Sequence, residues 1–253
     1  MILTFLGTGT SQGIPIIACP CKVCQSNNSK DKRLRSSVHI DVGGLSIVID
    51  SGPDFRQQML RENIKRIDAI LFTHDHKDHT AGLDDVRAFN YVQKKAMEVY
   101  GEDYVLDTLK REFSYAFAEK KYPGVPRINL NQIDNKNFSI KNQIIEPIRG
   151  IHYQLPVLGF KFDKLAYITD INYISDQEMK KLMNLDVLII NALRIEKHVS
   201  HFSLSEALDV IKKCRPKKAY LTHISHALPA YDELSKTLPK HVFMAYDGLK
   251  IEI

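Results

Sequence analysis

The chain has 253 residues, 44% of them hydrophobic and 26% charged, with a formal net charge of +5; it can bury a real core, and nothing in it reads as disordered or fibrous. Its longest apolar runs, such as Val187 to Ile190, fall far short of the about 20 residues a membrane span needs, so no membrane partner is expected. The lysines lie in scattered pairs such as Lys212/Lys213 and Lys217/Lys218, with no Trp and no basic stripe, which argues against a nucleic-acid partner and leaves a small anionic substrate compatible with the charge.

In chain order, the first expected strand is Ile2 to Leu6. Residues Met1 to Gly7 carry no basic region and no cleavage site, so they read as a strand rather than a signal peptide, and a cytoplasmic location is expected. Gly7 to Gly13 is glycine-rich but lacks the lysine of a phosphate-binding loop. Its glycines are expected to let backbone pass close to a metal centre. Three of the four cysteines follow in Cys19-Pro20-Cys21-Lys22-Val23-Cys24, an arrangement that in a reducing compartment points to metal rather than disulfides. Cys214 reads as a packed thiol.

Strands are expected at Ser37 to Val42 and Leu45 to Asp50, joined by the Gly43-Gly44 hairpin signal. A helix over Asp54 to Glu62 precedes a strand over Ala69 to Thr73, followed by helix Leu83 to Lys95, strand Met97 to Tyr100 and helix Asp103 to Lys120. The later part reads as strands Ile144 to Ile148, Gly159 to Phe162 and Leu165 to Thr169, helix Ser175 to Leu185 and strand Val187 to Asn191. Helix Ser203 to Cys214 opens with a capping box, Ser203 and Glu206. Strands Lys218 to Leu221, Val242 to Met244 and Lys250 to Ile253 end the chain. With no repeat, linker or low-complexity segment, residues 1–253 are read as a single domain of two facing sheets covered by helices.

The chemistry concentrates in Leu-Phe-Thr-His-Asp-His-Lys-Asp-His, residues 71 to 79. Alternation along a strand lets His74 and His76 point the same way while the turn brings in Asp78 and His79. Imidazole and carboxylate at this density suit zinc, manganese or iron, whereas a loop of surface histidines would not need the spacing.

His74-x-His76-x-Asp78-His79 resembles the HxHxDH signature of metallo-β-lactamase-fold hydrolases. That resemblance implies an α/β (α+β) protein, a four-layer αββα sandwich, with two catalytic divalent metals, Mn2+ or Zn2+. His152, Asp170 and His223 match the family's later ligand positions. The implied assignment gives His74, His76 and His152 one metal and Asp78, His79 and His223 the other, with Asp170 bridging. Asp78 would also orient the attacking water, and Asp50, in Asp50-Ser51-Gly52-Pro53, would orient the ligand loop.

A closed zinc site needs a fourth ligand beside Cys19, Cys21 and Cys24, and His226 is the candidate. This Cys3His set and Thr222-His223-Ile224-Ser225-His226 are similar to the structural Zn2+ site of the phosphoribosyl cyclic phosphate phosphodiesterases. His201 matches a histidine that contacts the scissile phosphate in phosphodiesterase branches of the fold, and it precedes a helix N-terminus, where anions are favoured. His198 is read as exposed, with contact to His201 the alternative.

The resemblance implies a hydrolase of small or cyclic phosphodiesters such as phosphoribosyl 1,2-cyclic phosphate, and it suggests a homodimer. Transfer-RNA 3′ processing shares these metals, but no Gly/Pro/Lys-rich arm is visible. Thiolester or lactam hydrolysis leaves His201 without a task. A non-catalytic metal-containing binding module is the remaining alternative. Residues Asp84 to Arg127 match nothing in the phosphoribosyl enzymes and are expected to reshape the pocket.

Overall fold

The computed structural model describes residues 1–253. The first part of the chain forms β1 (Ile2–Gly7), β2 (Ser37–Val42), β3 (Leu45–Ile49), β4 (Ala69–Leu71), β5 (Met97–Gly101) and β6 (Ile128–Gln132). Among them lie helices α1 (Phe55–Arg61), α2 (Lys77–Thr80), α3 (Arg87–Gln93), α4 (Asp103–Glu112) and α5 (Ser114–Phe117). The rest forms β7 (Phe138–Ile140), β8 (Gln143–His152), β9 (Leu155–Phe162), β10 (Leu165–Tyr167), β11 (Tyr173–Ile174) and β12 (Val187–Asn191), followed by β13 (Lys218–Thr222), β14 (Val242–Met244) and β15 (Lys250–Glu252). Its helices are α6 (Asp176–Lys181), α7 (Leu204–Cys214) and α8 (Tyr231–Leu234).

Two sheets result. One runs β15-β1-β2-β3-β4-β5-β6; the other runs β11-β8-β9-β10-β12-β13-β14, with β7 paired to β8. Alternation explains why they stack. Leu45, Ile47 and Ile49 face inward with Leu158, Phe160, Phe162 and Ile189 from the opposite sheet, while Val48 on the other face of β3 packs under α1, α3 and α4 with Phe55, Phe89 and Leu106. The second sheet buries Ala166, Leu188 and Ile190 against Ala207, Val210 and Ile211 of α7. Helices therefore cover both outer faces of a mixed two-sheet sandwich, as expected.

The parallel run β3-β4-β5-β6 and the parallel run β10-β12-β13-β14 point their strand ends toward one rim. Residues 72–79 follow β4, Asp170 follows β10, His223 follows β13 and His152 closes β8. Crevices at carboxyl strand ends are where open α/β sheets place ligands.

Several elements differ from the sequence reading. The helix expected over Asp103 to Lys120 breaks at Phe113 (φ −105°, ψ 36°), and the break turns both Phe113 and Ala116 into the outer core. The strand expected through Thr73 ends its pairing at Leu71, so His74 and His76 come from an irregular segment and not from alternating strand positions. β8 and β9 are longer than expected and form one hairpin that carries Pro147 and Pro156 in register with Phe160 and Ile151. β6 was missed because Asn129 and Asn131 are poor strand formers; here their amides grip Glu98 of β5 at 2.6 and 2.9 Å. The helix expected over Ser175 to Leu185 stops at Lys181. No helix is long and apolar enough to cross a membrane.

Candidate metal centre

The segment after β4 is fixed from below. Asp50 lies wholly inside the sandwich, where its Oδ1 accepts from the Thr73 amide at 2.9 Å and its Oδ2 from the Thr73 hydroxyl at 2.9 Å and His79 Nδ1 at 2.7 Å. With its Nδ1–H donated to Asp50, His79 turns Nε2 toward Asp170 Oδ2 at 2.5 Å and Asp78 Oδ2 at 3.2 Å. Gly52, in the turn after Asp50, is required by space: a Cβ there would sit 2.0 Å from the Asp78 carbonyl oxygen. Such close backbone approach was expected of Gly7 to Gly13, and it occurs there too: a Cβ on Gly7 would sit 1.9 Å from the Arg35 carbonyl oxygen.

The loop of residues 7–13 works on the opposite ligand. The Ile224 amide donates to the Thr8 carbonyl at 2.9 Å and the Thr10 amide to the Ile224 carbonyl at 3.0 Å, clamping the residue next to His223. His223 Nε2 then lies 2.7 Å from Asp170 Oδ1. Asp170 is set by Asn191, whose amide accepts from Ile171 N at 3.1 Å and donates to Ile171 O at 3.0 Å. Asp50, Asp170 and His223 all adopt left-handed backbone, φ 63°, 55° and 52°, a conformation that costs non-glycine residues energy and that clusters at functional sites.

His74 is fully buried, its Nδ1 2.9 Å from Thr73 Oγ1. Its ring centre lies 4.6 Å from that of His76 and 5.7 Å from that of His152. His152 donates Nδ1–H to the Ser200 carbonyl at 2.9 Å, leaving Nε2 free. Donor atoms of Asp78, His79, Asp170 and His223 converge within 4.8 Å of one another, as do those of His152, Asp170 and His201. His79 Nε2 and His223 Nε2 crowd Asp170 at 2.5 and 2.7 Å without hydrogen-bond geometry, and the buried Nε2 of His74 lies 3.9 Å from Asp170 Oδ2 with no hydrogen-bond partner. Orphaned lone pairs aimed at one point are expensive unless a cation meets them, so the donor set fits divalent metal.

Burial and the two carboxylates act in opposite directions on these groups. Burial pushes His74 well below its ordinary value and His152 to about 4, keeping both in the neutral form that ligates metal. Burial opposes protonation of His223 as well, but Asp170 and Asp78 overcome it and raise this imidazole to about 9. Burial likewise works against ionised Asp170, yet the neighbouring His223 and His79 hold it well below the usual carboxylate range.

His201 joins this cluster. Its Nε2 is 2.9 Å from Asp170 Oδ1, its Nδ1 is 3.1 Å from His198 Nδ1, and its ring stacks on His223 at 4.9 Å. His198 was expected to be exposed; it is half-buried against His201. The helix after it begins at Leu204, with Ser203 and Glu206 completing the capping box.

Residues 84–127, which the sequence reading left unmatched, brace the ligand loop. Thr108 of α4 donates to Asp75 at 2.9 Å, Lys77 pairs with Glu112, and Tyr104 donates to the Pro156 carbonyl at 2.8 Å. These supports, like Thr73, Gly52, Asn191 and the Ser200 carbonyl, were not visible as site residues in the sequence. Of them only Gly52, in an Asp-x-Gly turn, carried a signal.

A second donor cluster lies apart. Sγ of Cys19, Cys21 and Cys24 lie 3.2, 3.4 and 3.6 Å from His226 Nδ1. Zinc bonds of about 2.3 Å to sulfur and about 2.0 Å to nitrogen at tetrahedral angles place such atoms about 3.5 Å apart. The Cys24 amide beside Cys21 lowers that thiol to about 6, favouring the thiolate that zinc takes.

The sequence matches the beta-lactamase superfamily domain over residues 46–224. A solved structure of a new diphosphatase from the PhnP family is 38% identical, with a TM-score of 0.93 over 100% of this chain and 97% of that one. An octanoyltransferase of Porphyromonas gingivalis is 40% identical over 97% of this chain, which spans only 50% of that protein's length. A ribonuclease Z of Staphylococcus epidermidis is 24% identical over 99% of this chain and 100% of its own.

Proposed function

The chain belongs to the beta-lactamase superfamily, as a metallo-β-lactamase-fold hydrolase of the PhnP type, and we propose that it is a dinuclear metal-dependent phosphodiesterase of small or cyclic phosphodiesters such as phosphoribosyl 1,2-cyclic phosphate. His74, His76 and His152 would hold one metal, Manganese or zinc, and Asp78, His79 and His223 the other, with Asp170 between them. Bound there, the pair supplies Lewis acidity, which lowers the pKa of water and neutralises phosphate oxygens. Structural zinc is assigned to Cys19, Cys21, Cys24 and His226.

The observation that carries the reading is His201, which lies 2.9 Å from the central Asp170 and is not one of the seven ligands proposed. An imidazole placed there can donate a hydrogen bond to a non-bridging phosphate oxygen and pass a proton to the departing alkoxide. His198, at 3.1 Å from its other nitrogen, and Ser200 Oγ at 3.0 Å restrain its ring. Asp78, half-buried beside His79 and His223, is placed to accept a hydrogen bond from the attacking water. Hydrolysis of a lactam or thiolester gives His201 no such use.

A second reading, cleavage of a diphosphate link, is favoured by the 38% identical diphosphatase. Transfer-RNA 3′ processing fits less well. Aligning the chain with the Staphylococcus epidermidis ribonuclease takes 322 positions against 253 residues here, so that enzyme carries segments this chain lacks. The octanoyltransferase name belongs to a protein twice as long, and acyl transfer is not carried over.

A substrate panel tests the proposal. Metal-loaded protein should hydrolyse a nucleoside cyclic phosphate at least about 10-fold more efficiently than a diphosphate ester of the same nucleoside, a discrimination of about 1.4 kcal/mol. The reverse order would install the diphosphate reading, and efficient trimming of a precursor transfer RNA would overturn both.

A further inference from the structure

His152 is followed by a two-residue turn, Tyr153-Gln154, that joins β8 to β9. Tyr153 occupies its first position with φ 58°. Glycine, asparagine or aspartate takes that left-handed conformation readily; an aromatic residue does so at an energetic cost. The turn is nevertheless held firmly. The Tyr153 amide donates to Asn172 Oδ1 at 2.8 Å, the Asn172 amide donates to the Ile151 carbonyl at 2.9 Å, and Tyr104 braces Pro156 on the other strand at 2.8 Å.

What this backbone presents is a tyrosine that is 58% exposed. With Leu155, Gln154, Val199 and Ser200 it lines a cavity of ≈ 690 Å³ whose remaining walls are His76 and His152, two ligands assigned to the same metal. Val199, across the cavity, is also an exposed apolar side chain, at 64%. The charged residues of the molecule stay out of this cavity. A pocket with a metal-ligand floor and apolar sides fits an anion carrying a flat apolar substituent.

Resting on the phosphodiesterase reading, we infer that Tyr153, with Leu155 and Val199, forms a subsite for an aromatic or heteroaromatic group attached to the phosphorus-centred anion, making Tyr153 a specificity-determining residue. The ring stacks on the substituent while the metals hold the anion. A single aromatic pair contributes about 0.5 to 1.5 kcal/mol beyond area burial, or about 2- to 12-fold in affinity. Tyr153 thereby sets which diesters bind and leaves the bond-breaking groups untouched.

Two non-hydrolysable probes that share the anion and differ in the substituent, phenylphosphonate and methylphosphonate, read this directly by titration calorimetry on metal-loaded protein. The wild type should favour phenylphosphonate by about 5- to 10-fold. Tyr153→Phe should keep that preference. Tyr153→Ala and Tyr153→Gly should abolish it while methylphosphonate affinity stays within about twofold, and the glycine variant, which relaxes the backbone, separates loss of the ring from distortion of the turn. A preference that persists in both variants, or that is absent from the wild type, overturns the inference. Failure of the phosphodiesterase reading would look different: the phenyl preference would follow the ring as described, with no diester turnover.

Discussion

Asp50 accepts the Nδ1–H of His79 across 2.7 Å from a position with no solvent exposure, while holding both the amide and the hydroxyl of Thr73. One carboxylate thus sets the tautomer of one ligand and the path of the chain leading to His74. Outer partners of this kind typically change metal affinity by about 10- to 100-fold. Asp50→Ala should weaken metal binding by that amount in chelator competition, with circular dichroism preserved. Unchanged affinity would mean that Asp50 shapes only the loop.

His201→Ala should lower kcat by roughly 100-fold, the scale of one lost donor to developing charge. Bound metal, measured by elemental analysis, should stay as in the wild type because the seven assigned ligands remain. Unaltered turnover would remove His201 from the reaction.

The Cys19, Cys21, Cys24 and His226 cluster anchors the apolar packing of Ile14, Val23, Leu228 and Leu234. His226→Ala should remove one zinc equivalent and lower the melting temperature, since metal binding contributes folding free energy here. Chelation of the wild type should reproduce the shift. Equal zinc content in variant and wild type would contradict the assignment.

Glu178 joins α6 to the β8 hairpin. It accepts from the Arg149 amide at 2.7 Å and from Asn135 at 2.9 Å, and pairs with Lys181 at 2.8 Å. Burial opposes its charge, but the Lys181 ammonium and these donors hold its pKa below the ordinary 4.5. A depressed carboxylate stabilises the fold above its unfolded value and loses that contribution as pH falls through its folded value. Glu178→Gln should therefore cost about 1 to 3 kcal/mol at neutral pH in denaturant titration. The gap from wild type should close as the solution is acidified below 4.5; a gap independent of pH would contradict the ion-pair origin.

The density of histidine and aspartate at residues 74 to 79 made this candidate ligand loop legible in the sequence, and the Cys19 to Cys24 run did the same for the second donor cluster, because each is local. His152, Asp170, His201 and His223 lie far from one another along the chain, and only the resemblance brought them to one site; the structure brings them together at the ends of β8, β10 and β13 and before α7. The supporting residues were silent because their roles are long-range. Nothing near Thr108 indicates that it reaches Asp75, and nothing near Asn191 indicates that it clamps Ile171. Local propensity also hid β6, whose asparagines are satisfied only by Glu98 on the neighbouring strand.

Hydrolysis of bis(p-nitrophenyl) phosphate by protein loaded with manganese or zinc tests the central claim most directly, with Asp78→Ala and a β-lactam substrate alongside. Turnover that needs metal, falls by at least about 100-fold in the variant and leaves the lactam intact is the predicted result. A filled metal site with no phosphodiester turnover under either metal would contradict it.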